Sequence, residues 1–336
     1  MMRSVSDRDH SVESVRAMTA DFTPGEFYAW LAVAGDEPVG VTMLEPCTLE
    51  YRGAQTKAGY WRYLWINADQ RKTGLYPRLV FTMIAAAAEL GIELVYGAIR
   101  RPDVVAGHLA LGMEKVGQIP VLAKPLNPAA LFSKFHGLGS LAVGLSAVPD
   151  FAYRQYLFLR HPPGSSYVVR DIAATQANLN AIIPVLRDPH PSKLQRLLSP
   201  QTFLRRYHTN SDGAEYRVLC VQASDDVRAA IVYRHAVRGN NIRAVAIMEL
   251  GYSGEDQHAL RFALAELEKH AIDMHCEVML CLSSAGPMQV LLRQSGYFKS
   301  NETYVLMKKK TDPQGGCLVP DKLDDWYFTF GDHDAF

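Results

Sequence analysis

The chain has 336 residues, 48% of them apolar, and a formal net charge of zero. That length suggests about two domains of roughly 150 residues each, with sizeable cores. Neutral balance argues against a general nucleic-acid or membrane-binding field, and the strongest apolar run, Leu138 to Val148, falls short of the ~20 residues a membrane helix needs.

Met1 to Thr23 is polar and charged, unlike a secretory leader, and reads as a frayed helix or a tail. Phe27 to Ala34 reads as a strand, Gly35 to Pro38 as a turn and Val39 to Leu44 as a second strand, together a hairpin. Tyr60 to Ile66 is a third strand. From Leu75 to Leu90 the apolar residues Leu75, Leu79, Met83, Ala86 and Leu90 recur every three or four positions, which predicts a helix stopped by Gly91. A strand over Ile92 to Ile99, a short helix over Asp103 to Leu111 and a strand over Val116 to Leu122 complete a first unit.

Prolines punctuate residues 125 to 164, and the apolar segment Ala129 to Val148 between them reads as a helix. It would pack between two domains or join two copies in a homodimer. From Ser165 the plan repeats: a strand over Tyr167 to Arg170, a helix over Ala173 to Leu186, hairpin strands Tyr216 to Ala223 and Ala229 to His235, and a strand over Ile242 to Leu250. Then come a helix over Asp256 to His270, a strand over Glu277 to Leu282, a helix over Pro287 to Gln294 and a strand over Tyr304 to Lys308. This pattern suggests duplication of one α/β unit, without strict sequence repetition. The tail, Thr311 to Phe336, interleaves acids with Trp326, Tyr327, Phe328 and Phe330. Such aromatics predict docking on a domain surface or in a cleft.

The five cysteines are scattered, odd in number and without a C-x-x-C pair, which fits free thiols in a reducing cytoplasm. His270, His275 and Cys276 lie close together but lack a second ligand pair at a recognisable spacing, so no metal is expected.

The most informative stretch is Leu64 to Tyr76, where an apolar strand ends in Arg71-Lys72-Thr73-Gly74-Leu75-Tyr76 and a long helix follows at once. Helix-start N–H groups lack internal partners, glycine permits close approach, and two cations stand beside them. Phosphate suits such a turn.

The position of this turn, after the third strand of a meander, resembles the GNAT family of acyl-CoA-dependent N-acyltransferases. Leu64-Trp65-Ile66-Asn67-Ala68 stands at the family's strand end, and Arg71-x-x-Gly74-x-Tyr76 at its R/Q-x-x-G-x-G/A loop. His108-Leu109-Ala110-Leu111-Gly112-Met113 fits the frame in which the family carries a tyrosine before Gly-Phe. The resemblance covers about residues 27 to 127. It implies an α/β (α+β) fold with two GNAT-like domains, each a mixed, mostly antiparallel sheet flanked by helices. The implied divisions are residues 1–127 for the acyl-CoA-binding domain, 128–164 for a linker with a helix, 165–310 for a degenerate second domain and 311–336 for the tail.

By the same resemblance, Leu64, Trp65 and Ile66 would bind the pantetheine arm, and Arg71, Lys72, Thr73, Gly74, Leu75 and Tyr76 the pyrophosphate of acetyl-CoA or another acyl-CoA. Tyr76 stands where the family has a small residue, so its side chain must turn away or narrow the site. His108 replaces the tyrosine that protonates the departing thiolate, a task histidine can perform. No carboxylate lies on the strand Tyr60 to Ile66, which leaves Glu45, with Glu50 beside it, as nearest candidate base. The second half keeps Gln294-Ser295-Gly296-Tyr297, but its turn, Gly251 to Asp256, has no Arg or Lys and carries Glu255 and Asp256, which repel pyrophosphate.

The leading reading is a cytoplasmic acyltransferase that moves an acyl group from acyl-CoA to a primary amine of a small molecule, an amino sugar or a biosynthetic intermediate, by direct attack. No DNA partner and no membrane span are expected. Two alternatives stay open: a donor carried on acyl-carrier protein or tRNA, and a non-catalytic acyl-CoA-binding or regulatory protein.

Overall fold

The computed structural model describes residues 27–136, 147–159, 167–187, 192–207, 215–254, 256–312 and 316–333. The expectations for Met1 to Thr23, for most of Leu138 to Val148 and for Glu255 lie outside those residues.

The first half opens with β1 (Tyr28–Ala34), β2 (Glu37–Tyr51) and β3 (Ala54–Ile66), an antiparallel meander whose strands are longer than the sequence pattern suggests. Glu45 and Glu50 therefore lie within β2 and not after it. Helix α1 (Leu75–Glu89) buries Leu79, Val80, Met83, Ile84 and Ala87, the stripe its periodicity predicts. It is followed by β4 (Leu94–Ile99), the short α2 (Val105–Ala110) and β5 (Glu114–Pro125).

The connecting region holds α3 (Pro128–Phe135) and α4 (Ala147–Leu159). Asp150 ties them together: its carboxylate accepts from the backbone N–H groups of Ala129 (2.8 Å) and Ala130 (3.1 Å), at the start of α3.

The second half contains β6 (Val168–Ala173), α5 (Leu179–Leu186), β7 (Gln195–Arg196), α6 (Pro200–Arg206), β8 (Tyr216–Ala223), β9 (Asp226–Arg238), β10 (Ile242–Tyr252), α7 (Gln257–Asp273), β11 (Val278–Leu282), α8 (Gly286–Gln294) and β12 (Phe298–Lys310). A last turn of helix, α9 (Phe330–His333), closes the described tail. The helix expected over Ala173 to Leu186 starts later, at Leu179, because Ala173 still pairs with Arg217 in the sheet and a 3-10 turn intervenes. β7 and α6 carry no clear periodicity in sequence; Ser199 starts α6 with a capping box closed by Thr202.

Among the described residues the strands form one 12-stranded sheet in the order β1-β2-β3-β4-β12-β5-β11-β10-β9-β8-β6, with β7 on β2. The halves exchange their closing strands. β12, from the second half, pairs with β4 of the first, while β5, from the first, pairs with β11 of the second. β5 and β12 also pair with each other, so neither half owns a separate sheet.

One sheet face carries a core that spans both halves, including Tyr60, Tyr96, Ile119, Leu280 and Tyr304. The tail covers it with Trp326, Phe328 and Phe330, each at most 1% exposed. Burying each such aromatic contributes roughly 1.5–3 kcal/mol, as an upper estimate, which explains why a chain end rich in acids is nonetheless docked. The opposite face is split. One core lies under α1, with Val80, Met83, Val95 and Met307, and another under α7 and α8, with Leu264, Leu267, Met279 and Leu292.

Candidate functional site

β4 pairs with β3 in parallel only at Ala58, Gly59 and Tyr60. Beyond the Tyr60–Tyr96 pair, β3 runs on to Ile66 and β4 to Ile99 with no pairing between them. The β2–β3 register slips at the same place: Met43 faces Tyr63 and Leu44 faces Trp61, leaving Arg62 as the extra residue of a bulge. Such a bulge raises local twist and bends its strand, which accounts for the divergence.

The widening gap leads to the turn at residues 67–74. Asn67 caps a 3-10 turn over Ala68–Gln70, the Thr73 hydroxyl donates to the Gln70 carbonyl (2.7 Å), and Arg71 Nε donates to the carbonyl of Ile66 (3.4 Å). Lys72 and Gly74 take positive φ, 73° and 83°. Gly74 is the N-cap of α1 without any side-chain cap, and the space its Cβ would enter is open. The N–H groups of Gly74, Leu75 and Tyr76 have no acceptor among the described residues, and Arg71 through Gly74 are exposed. An anion could take these donors together with the two side-chain charges.

Tyr76 is turned away from this opening. Its ring packs on Gly107, and on His108 at 5.7 Å between centroids. Its hydroxyl is buried without a partner among the described residues, and burial pushes its pKa up to about 12.

His108 is 6% exposed and lies against Trp61, with ring centroids 4.8 Å apart. Its Nδ1 sits 2.8 Å from the Val104 carbonyl, which can only accept, so Nδ1 carries the proton. Burial lowers its pKa, against the pull of that carbonyl. The neutral ring therefore presents Nε2 as an acceptor, a poor arrangement for the proton donation expected of it. Trp61 is a core residue whose Nε1 donates to Thr42 Oγ1 (2.9 Å). Tyr63 and Trp65 pack on Val41 and Met43.

Glu45 is held by three guanidiniums: Arg62 (3.1 Å), Arg206 (3.2 Å) and, in the shortest contact, Arg196. Burial alone would raise its pKa, but Arg196, Arg206 and Arg62 outweigh it and hold the carboxyl at about 2. A carboxylate so clasped is a permanent anion and a weak base. Glu50 is tied to Arg187 at 3.0 Å. Arg196 and Arg206 come from β7 and α6, which the sequence does not announce as partners of β2.

The second half repeats the geometry and closes it. β10 and β11 pair in parallel from Ala244–Val278 to Ile247–Cys281, and a bulge at Met248 follows in the β9–β10 register. The tail then lies across both diverging ends. Ser284 N donates to the Phe328 carbonyl (3.0 Å), Tyr327 Oη donates to the Leu250 carbonyl (2.7 Å), and Ser283 bridges Thr329. Gly251 is pressed against α5 so closely that a Cβ there would lie 1.9 Å from the Val185 carbonyl oxygen. Asp256 caps α7 with its own carboxylate, accepting from Ala259 N–H (3.1 Å) and from the Tyr167 hydroxyl (3.0 Å). The turn carries no Arg or Lys, and an anion there would meet the Asp256 carboxylate.

Under the tail sits a buried carboxyl pair, Glu249 and Asp332, that sequence reading passes over. Tyr207 and Thr329 donate to Glu249 at 2.8 and 2.9 Å, and Asp332 accepts from Thr329 N–H at 2.9 Å. Burial, then the neighbouring Asp332, raises Glu249 to about 7. Burial also raises Asp332, opposed by Arg206 and Arg196. Among the described residues no group of His, Cys, Asp and Glu is arranged to hold a metal ion, and no helix is long and apolar enough to cross a membrane.

No protein-family model and no curated protein matches the sequence. Solved structures do match in fold. A GCN5-related N-acetyltransferase from Anabaena variabilis superposes with a TM-score of 0.61 at 9% identity, over 90% of this chain and 66% of that one. A tandem GNAT protein from the clavulanic acid biosynthesis pathway gives 0.57 at 11% identity, over 90% of this chain and 89% of that one. The fold is that of tandem GNAT proteins. Saccharomyces cerevisiae N-myristoyltransferase, solved with myristoyl-CoA, shares it at 12% identity and a TM-score of 0.58, over 85% of this chain and 68% of that one. The chain spans about two thirds of the length of the Anabaena and yeast proteins.

Proposed function

We propose that the first half binds acyl-CoA and transfers its acyl group to a primary amine of a small molecule. The observation that carries this reading is the open divergence of β3 from β4 beside the uncapped start of α1. Leu64, Trp65 and Ile66 lie along the part of β3 that β4 has left, where the pantetheine amides would run beside the strand as a peptide runs beside a sheet edge. Arg71, Lys72, Thr73, Gly74, Leu75 and Tyr76 receive the pyrophosphate, the last two through backbone N–H alone. The amine attacks the thioester directly, and orientation supplies much of the rate. His108 walls the thioester end with Trp61, and Glu45 anchors Arg62 at the bulge. The two halves act as one unit with a single donor site, residues 165–310 serving as scaffold and acceptor wall.

The location consistent with this chemistry is the cytoplasm, where acyl-CoA and free thiols coexist. A second reading, an acyl-CoA-binding protein without turnover, draws support from the locked state of Glu45 and the neutral state of His108. Titration with acetyl-CoA, followed by an assay of free CoA thiol with a panel of primary amines, separates the two. Binding with thiol release supports the transferase, and binding without release supports the sensor. No binding, with an Arg71→Ala variant indistinguishable from wild type, rejects both.

A further inference from the structure

We infer that the outer face of α4 is the contact through which two copies of this chain form a dimer. The inference is independent of the donor site. Val148, Phe151, Ala152, Gln155, Tyr156 and Leu159 are exposed on α4. Their spacing of three and four residues lines them along one side of the helix. Val148 is 76% exposed, Phe151 62%, Tyr156 49% and Leu159 82%. Gln155 is the single polar member of the stripe.

The charged residues of α4 face the other way. Asp150 is buried at the start of α3, where it accepts from Ala129 and Ala130. Arg154 Nε donates to Asn127 Oδ1 (2.7 Å), and Asn127 Nδ2 donates to the Cys276 carbonyl (3.1 Å) in the second half. Leu157 packs on the core under α7 and α8. A surface helix ordinarily does the reverse, burying its apolar stripe and leaving its charges in water. An apolar stripe turned outward marks a contact with something else.

Area and pattern select a second copy as the occupant. The large side chains of the stripe leave on the order of 600 Å² exposed, at the upper end for a patch on an ordinary monomer. Buried from both sides, that surface amounts to about 1,200 Å², the lower bound for a stable specific interface. The stripe is also self-complementary. In an antiparallel pair about a two-fold axis, Val148 meets Leu159 of the partner subunit, Phe151 meets the partner's Tyr156 and Ala152 meets the partner's Gln155. Aliphatic meets aliphatic and ring meets ring, and the small Ala152 leaves room for the amide.

Charge does not oppose this approach, because Asp150 and Arg154 are the only ionic residues of α4 and both are engaged inward. The same fact disfavours a lipid surface. Helices that lie on membranes present Lys and Arg to the headgroups, and α4 has only Arg154, turned into the protein.

The test is sedimentation of the full chain from about 1 to 100 µM, wild type against Phe151→Glu and, separately, Leu159→Glu. Wild type should associate reversibly into dimers with a micromolar Kd, the strength suited to so small an interface. Each variant should weaken association at least ~30-fold, with a melting temperature within about 2 °C of wild type. A dimer that both variants leave unchanged overturns the proposal, since the contact then lies elsewhere. A wild type that stays monomeric across the range also overturns it, and two measurements then name the occupant. Binding to phosphatidylcholine–phosphatidylserine vesicles that Phe151→Glu abolishes assigns the face to lipid. A lowered melting temperature in Phe151→Glu, without vesicle binding, assigns it to residues 137–146 of the same chain.

Discussion

The β3–α1 and β10–α7 turns occupy equivalent places in two copies of one unit, and they differ in who satisfies the helix start. At Gly74 nothing among the described residues does: the cap has no side chain, the surroundings are open and two cations stand nearby. At Asp256 the chain's own carboxylate takes one of them, the Ala259 N–H, and there is no Arg or Lys in the turn. The strand gaps differ in the same sense, since the first is unpaired beyond Tyr60 and the second is crossed by Tyr327, Phe328 and Thr329. The second gap is thus filled by the chain's own tail, while the diverging sheet geometry that it shares with the first stays intact.

The strongest way to break this comparison is to write the second turn into the first. Gly74→Asp places a carboxylate where the pyrophosphate is proposed to lie, and acetyl-CoA affinity measured by calorimetry should fall at least ~100-fold, about 2.7 kcal/mol. Gly254→Asp in the second turn is the control and should leave affinity unchanged. A fall of less than about tenfold for Gly74→Asp would remove the reason for assigning phosphate to this turn.

Removing the charges without adding a repulsive one should cost less. Arg71→Ala combined with Lys72→Ala should weaken acetyl-CoA by roughly 10- to 30-fold and flatten the dependence of affinity on salt, because exposed charges are readily screened. Equal salt slopes in variant and wild type would show that these side chains do not meet the ligand.

Opening the second turn should create nothing. Asp256→Ala removes an N-cap worth ~1 kcal/mol, so the melting temperature should drop by about 2–4 °C. No second acetyl-CoA should bind, because the tail still crosses the gap. A stoichiometry of two would show that the cap alone silences that half.

The smallest expected effect concerns the tail's attachment. Glu249 has its folded pKa raised to about 7 by burial and by Asp332, so its stabilising contribution is fully present below the ordinary carboxylate range and is lost as pH rises through about 7. Wild type should melt at a higher temperature at pH 6 than at pH 8, and Glu249→Gln should lose that slope. A slope of opposite sign would mean that the pair is ionised at both pH values.

Legibility followed the range of the forces involved. The α1 stripe, the Gly74 turn and the hairpins rest on local periodicity and turn chemistry, and they stand where the sequence places them. Tyr76 shows the limit. The chain indicates that a large residue must turn aside, but the place it turns to, against Gly107 and His108, depends on α2 packing back over α1. Glu45 shows it more sharply. On β2 it looks like a candidate base, and only the approach of β7 and α6, some 150 residues later, surrounds it with Arg196 and Arg206. The one signal for the tail's role was its run of aromatics among acids, which predicted docking without indicating where.

The sequence by itself determined the repeated order of strands and helices and the single basic glycine turn, because each is set by residues adjacent in the chain. The tertiary structure alone decided that the halves exchange β5 and β12, that the tail crosses the second gap, and that three arginines hold Glu45 as an anion. Those outcomes depend on burial and charge contributed by segments far apart in sequence, whose pairing no local pattern encodes.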